Sequence, residues 1–272
     1  MVGKEDVIWF QGPQGSGKSY TCTAVARALA RHDPPVRVVV LSLDDLYLPY
    51  AEMKTVGDAN FSNALLQGRG QPGTHDIERG RRILSTLHEN TFDVLSLPKY
   101  DKSARGGFGD RYADEVEIQR PLDIVLFEGW CLGFCALDAP ALDGLWAAPY
   151  TDELAYFLHT REDFDAINDS LRRWESAWYP YIDAFIQYMP SAAPEITPWS
   201  LVYPWRLEAE HEMKKLNGGI GMSDAQIQSF VARFLPTYEI FAMDLRERNP
   251  WSGKCLCFEL GPDRVAKAVY RV

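Results

Sequence analysis

Apolar and polar positions fall into two kinds of segment along this chain. Residues 7–10, 36–43, 92–97, 124–127, 182–188 and 255–260 are short, largely apolar runs, and they predict strands, several of them covered on both faces. Elsewhere apolar residues recur three or four apart, which predicts helices over 21–30, 77–88, 153–178 and 199–216. Asp76 is placed to cap the second of these. A further helix starts at Ser223, where Gln226 completes a capping box. Its Ile227, Phe230, Val231, Phe234, Tyr238 and Phe241 form one stripe, read as core, and Pro236 predicts a kink. Residues 46–74 read mostly as loop, with a short helix at 59–66 and punctuation by Gly68, Gly70 and Gly73. Residues 99–120 are polar and glycine-rich, too long for an ordinary connection. Strands alternating with helices predict an α/β fold: a mainly parallel sheet flanked by helices.

Composition narrows the classes. With 272 residues, 46% of them hydrophobic, the chain can bury a large core and suits a single domain. A formal charge of -10 argues against a broad nucleic-acid surface, which needs clustered cations. No apolar stretch approaches a membrane span, and the opening residues lack the pattern of a secretory signal. The five cysteines lack zinc-ligand spacing, and Cys255-Leu256-Cys257 alternates as on a strand. Buried thiols in a reducing compartment are expected, hence a cytoplasmic or nuclear protein; a monomer is favoured.

The chemistry starts after the first strand. Gly12-Pro13-Gln14-Gly15-Ser16-Gly17-Lys18-Ser19 is a complete G-x-x-x-x-G-K-S between an apolar run and a helix. That context makes it a phosphate cradle (Walker A): small residues let backbone N–H groups close around a triphosphate at a helix N-terminus. Lys18 would reach the β/γ-phosphates and the Ser19 hydroxyl would ligate Mg²⁺, with Tyr20 next in the binding segment. Three further features should share the carboxyl edge of the sheet. Glu128 ends an apolar strand, as a carboxylate that holds Mg²⁺ does. Asp44-Asp45 ends another; Asp44 is the candidate base for an attacking hydroxyl or a metal helper, and Asp45 can instead cap the next turn. The loop from Pro98 to Arg111 mixes cations, acids and glycines, and Lys102, Arg105 and Arg111 are candidates to meet a carboxylate. Pro98-Lys99-Tyr100-Asp101 is only a near-miss to the guanine-reading N-K-x-D, and a GTPase is rejected.

Six motifs together resemble the D-glycerate 3-kinases, within the phosphoribulokinase, uridine kinase and pantothenate kinase superfamily. They are S-L-D-D-L-Y from Ser42, G-R-G-Q-P-G-T-H-D from Gly68, L-P-K-Y-D-K-S from Leu97, G-D-R from Gly109, F-E-G-W-C-L-G-F from Phe127 and Y-P-W-R-L-E-A-E from Tyr203. The likeness is nearest to fungal ATP-binding kinase-like members. It implies a P-loop NTPase fold with a helical lid near 140–220, ATP and Mg²⁺ as ligands, and a small hydroxyl acceptor, D-glycerate first. It also assigns the base to Asp44 and the metal to Glu128 with Ser19. Asp45, Tyr47, His75, Asp76, Tyr100 and Asp101 are carried over to the acceptor site, and Arg206 to a phosphate-contacting lid. Leu46, where the family usually has Phe, and a longer, Trp- and Pro-rich 165–200 stretch are departures near that pocket.

Overall fold

A computed structural model describes residues 6–191, 197–216, 218–219, 221–242, 245–246 and 250–272. Strand β1 (Asp6–Gln11) leads through the glycine turn into α1 (Lys18–Leu29), which returns to β2 (Val38–Ser42). Helices α2 (Tyr50–Ala59) and α3 (Ile77–Glu89) follow. Four short strands then form an excursion: β3 (Val94–Leu97), β4 (Tyr100–Asp101), β5 (Asp110–Arg111) and β6 (Val116–Gln119). The chain re-enters the sheet as β7 (Ile124–Gly129), leaves through α4 (Ala139–Ala147) and α5 (Asp165–Ala177), and returns as β8 (Ala184–Pro190). Helices α6 (Val202–Leu216), α7 (Asp224–Ala232) and α8 (Leu235–Phe241) precede β9 (Cys255–Leu260) and β10 (Ala266–Arg271).

The central sheet has the order β10-β9-β8-β1-β7-β2, with β10 antiparallel to β9 and the other pairs parallel. The apolar runs work as strands because both faces are covered. Val7 and Trp9 of β1 join one core with α3, α5 and α8, whereas Ile8 and Phe10 pack with Cys22 of α1 on the other face. Each such side chain, fully buried, contributes about 2 kcal/mol. Trp9 meets Phe127 edge-on at 5.2 Å, and Trp174 stacks on Trp178 at 4.5 Å. Gly80 lets α3 close on that pair, since a Cβ there would lie 2.6 Å from the Trp178 ring. Register then positions the chemistry: Glu128 pairs with Phe10 on one side and Ser42 on the other.

Several elements differ from the sequence reading. The run at 92–97 does not enter the central sheet; β3 pairs antiparallel with β6, and its Val94 is exposed. The expected helix at 59–66 is instead α2, ending at Ala59, then a single 3-10 turn at 64–66 begun by Asn63. Only Met53 and Gly57 of α2 are buried, so it carries no apolar stripe to detect. The long helix over 153–178 is broken into turns at Ala155–Leu158 and Arg161–Phe164 before α5, because Thr160 and Asp163 form a capping box that restarts the chain. The helix from Ser223 stops at Ala232 and restarts at Leu235, with Pro236 in the first turn of α8, where its missing N–H is harmless. Helix α4 and strand β10 had no clear sequence signal. Within 165–200, α5 sends Ile167, Leu171 and Trp174 into the main core, and 192–196 lie outside the described residues. All five cysteines are buried. Among the described residues no helix is long and apolar enough to cross a membrane.

Candidate active site

The glycine turn is braced from three sides. Gly12 N–H donates to the Gly129 carbonyl at 3.4 Å, and Ser16 N–H to the Pro13 carbonyl at 3.1 Å. Tyr238 of α8 accepts from the Gln14 amide at 3.2 Å and also bonds the Gln14 side chain. Gly15 (φ 77°) lies flat against the start of α6, so that a Cβ would fall 2.4 Å from the Trp205 carbonyl carbon. Arg264 clamps this contact, donating to the Gly15 carbonyl at 2.6 Å and the Trp205 carbonyl at 3.0 Å. Among the described residues no side chain caps α1, whose first amides therefore stay available for an anion. Tyr20, 81% exposed, faces solvent from α1.

Beside the turn stands the acidic edge. Glu128 is 5% exposed, and Ser42 donates to its Oε1 at 2.7 Å. Lys18 Nζ lies 3.7 Å from its Oε2, which has no hydrogen-bond partner although buried. Ser42 also accepts from the Asp44 amide at 3.4 Å, so one hydroxyl ties the ends of β7 and β2 together. The Asp44 carboxylate pairs with Lys102. Burial works to raise that carboxyl, yet Lys102, with Lys18 nearby, holds it well below the usual carboxylate range. The same pairing raises Lys102. Both stay charged at neutral pH.

Lys18, Ser19, Asp44, Tyr47, Lys102 and Arg206 all line a cleft of about 580 Å³, together with Gln14 and Gly15. Arg206 is held by the buried Glu210 one turn along α6 and lies over the Phe230 ring at 5.8 Å. The other sequence candidates do not border this cleft. Asp45 takes Lys99 Nζ at 2.6 Å and the Tyr100 amide at 3.2 Å; it anchors the following loop instead of capping its own turn. His75 is buried between Tyr47 and Trp174, and burial pushes its imidazole down to about 3 against the pull of Asp44. Asp76 caps α3 by accepting from the Arg79 amide at 2.9 Å. Tyr100 packs edge-on to Tyr47, and Asp101 closes a turn through Ser103. Arg105 pairs with Asp110 and lies over the Tyr50 ring, while Arg111 donates to the Tyr47 carbonyl and Asp76. These two cations brace the loop and the Tyr47 segment.

Sequence reasoning missed two lining cations and two braces. Arg69 sits between glycines in the 68–70 turn, and Arg233 precedes Phe234 on the polar edge of the apolar stripe. A cation flanked by glycines was the available signal for Arg69; Arg233, Tyr238 and Arg264 gave none.

No family model matches the chain. It is 33% identical over 270 residues to the probable ATP-dependent kinase TDA10 of Saccharomyces cerevisiae, across 94% of this chain and 84% of that protein. It is 34% identical over 263 residues to the chloroplastic D-glycerate 3-kinase of Arabidopsis thaliana, across 95% of this chain and 51% of the plant protein. The solved structure of a D-glycerate 3-kinase from Cryptococcus neoformans superposes with a TM-score of 0.88 at 34% identity, covering 99% of this chain and 90% of that one. With the phosphate turn, Asp44 and Glu128 at one sheet edge, the chain belongs to the D-glycerate 3-kinase family of P-loop kinases and is an ATP-dependent phosphotransferase.

Proposed function

We propose that this kinase transfers the γ-phosphate of ATP to a hydroxyl of a small hydroxy acid, D-glycerate first. The observation that carries the reading is one cleft holding Lys18, Ser19, the Asp44 carboxylate and Arg206, with Glu128 just behind it. The turn amides and the amino end of α1 hold the phosphates, and Lys18 offsets their charge. Ser19 and Glu128 would hold Mg²⁺, and the buried Oε2 of Glu128, which takes no hydrogen bond, fits that duty. Mg²⁺, when bound, neutralises charge on the β- and γ-phosphates. Asp44 orients the acceptor hydroxyl and takes its proton, a contribution of about 10²–10⁴-fold. Lys102 keeps Asp44 ionised, and Arg206 approaches the transferring group from α6. We read the chain as one domain with a helical lid near 140–220 that includes α6, acting as a monomer. Five buried thiols suit a reducing compartment such as the cytoplasm. The test is ADP release measured across a panel of hydroxy acids and polyols. Release that depends on D-glycerate supports the reading; equal release without any acceptor would mark an ATPase instead.

A further inference from the structure

Five cations border the cleft, Lys18, Arg69, Lys102, Arg206 and Arg233, against one carboxylate, Asp44. Three have acidic partners: Lys18 has Glu128, Lys102 has Asp44, and Arg206 has Glu210. Arg69 and Arg233 form no ion pair among the described residues. Their hydrogen bonds go to neutral carbonyls instead. Arg69 donates to Gly107 at 2.6 Å, and Arg233 donates to Gln67 and to Arg69, each at 2.7 Å. The Arg233 Nε is buried with no partner at all. Because Arg233 grips the Arg69 carbonyl, the two guanidinium-bearing residues share one wall, formed by the 67–70 turn and the α7–α8 junction. Phe234 backs that wall: the Arg233 guanidinium lies over its ring at 5.5 Å, and Gly70 approaches so closely that a Cβ would meet the ring at 2.5 Å.

Two like charges on one partly desolvated wall repel, and the arrangement is unfavourable unless an anion joins them. Arg233 already feels this: burial and Arg69 both lower its pKa. The geometry points to the Arg69–Arg233 pair as the receptor for an anionic group, carboxylate or phosphate, carried by the phosphate acceptor. The inference rests on the kinase reading above and deepens it. It replaces Arg105 and Arg111, which are engaged elsewhere, and it requires an acceptor that is itself an anion.

Arg69→Gln tests this, because it removes the charge with a polar side chain and leaves both grips of Arg233, made to backbone carbonyls, intact. Calorimetry on the ADP-loaded protein measures binding of D-glycerate, of glycerol 3-phosphate and of the neutral glyceramide. The expected result is a loss of about 10- to 100-fold in affinity for the anion, the size of one charged hydrogen bond. ADP affinity and glyceramide binding stay as they were, and Arg69→Lys restores part of the loss. Stronger binding of glycerol 3-phosphate identifies a phosphate group, and stronger binding of D-glycerate a carboxylate. Wild-type affinity for both anions in Arg69→Gln overturns the inference, as does failure of the wild type to bind either. A weakened ADP affinity also overturns it, since Arg69 would then serve the donor phosphates. Transfer to neutral polyols alone keeps the kinase and removes the subsite. Anion binding that depends on Arg69, without any phosphoryl transfer, keeps the subsite and removes the glycerate reading.

Discussion

Gly15 packs against the backbone of α6, and replacing it separates two effects that a glycine usually hides. In Gly15→Ala the new Cβ would meet the Trp205 carbonyl carbon at 2.4 Å, its oxygen at 2.5 Å and the Arg206 amide at 2.6 Å. All three are backbone atoms, so no side chain can swing away. The residue also sits at φ 77°, which costs an L-residue about 1–2 kcal/mol. Gly17, at φ 91°, pays the same strain but has nothing within 4 Å of its Cβ position. Overpacking adds about 1–3 kcal/mol, so Gly15→Ala should lose about 2–5 kcal/mol in all. At about 2 °C per kcal/mol for a chain of this size, nucleotide-free Tm falls about 2–4 °C in Gly17→Ala and about 4–10 °C in Gly15→Ala. Relief of the overlap pushes α6 outward, loosening the Arg264 clamp and drawing Arg206 from the cleft. Differential scanning fluorimetry without nucleotide gives the comparison. Equal Tm losses in the two variants would refute the packing of α6 on the phosphate turn.

Two further predictions concern charge. Lys18→Ala removes the cation 3.7 Å from Glu128, and ATP affinity should fall about tenfold or more with turnover falling further; unchanged affinity in a direct binding assay would remove the cradle argument. His75 titrates near 3 in the folded protein but near 6.5 when unfolded, so the unfolded chain binds the extra proton first and stability declines as pH falls. Between pH 6 and pH 4 this contributes a slope of about 1.4 kcal/mol per pH unit. His75→Phe keeps the ring contacts with Tyr47 and Trp174 and should lose that slope in urea unfolding; an identical pH dependence in both proteins would contradict a buried neutral imidazole.

The parts of the site that a sequence can show are those whose physics is local. Gly12 to Ser19 is legible because strand, turn and helix are contiguous, and Glu128 and Asp44 because each ends a strand of the same sheet. Arg69 and Arg233 are 164 positions apart and meet only through the fold. Arg105 and Arg111 look free in the sequence, since nothing there says that Asp110 and Asp76 will claim them. Likewise the run at 92–97 has the composition of a sheet strand, and its place outside the central sheet depends on pairing with β6. Composition gives burial tendency; partner choice is a property of the folded chain.

The central claim is that phosphate leaves ATP for a hydroxyl positioned by Asp44. The most direct measurement is mass spectrometry of the acceptor after reaction with γ-¹⁸O-labelled ATP, D-glycerate and Mg²⁺, for the wild type and Asp44→Asn. The account predicts labelled phosphoglycerate from the wild type and a loss of about 10² or more in its rate for Asp44→Asn, with ATP binding nearly intact. Label found only in free phosphate, or equal phosphoglycerate from both proteins, would contradict it.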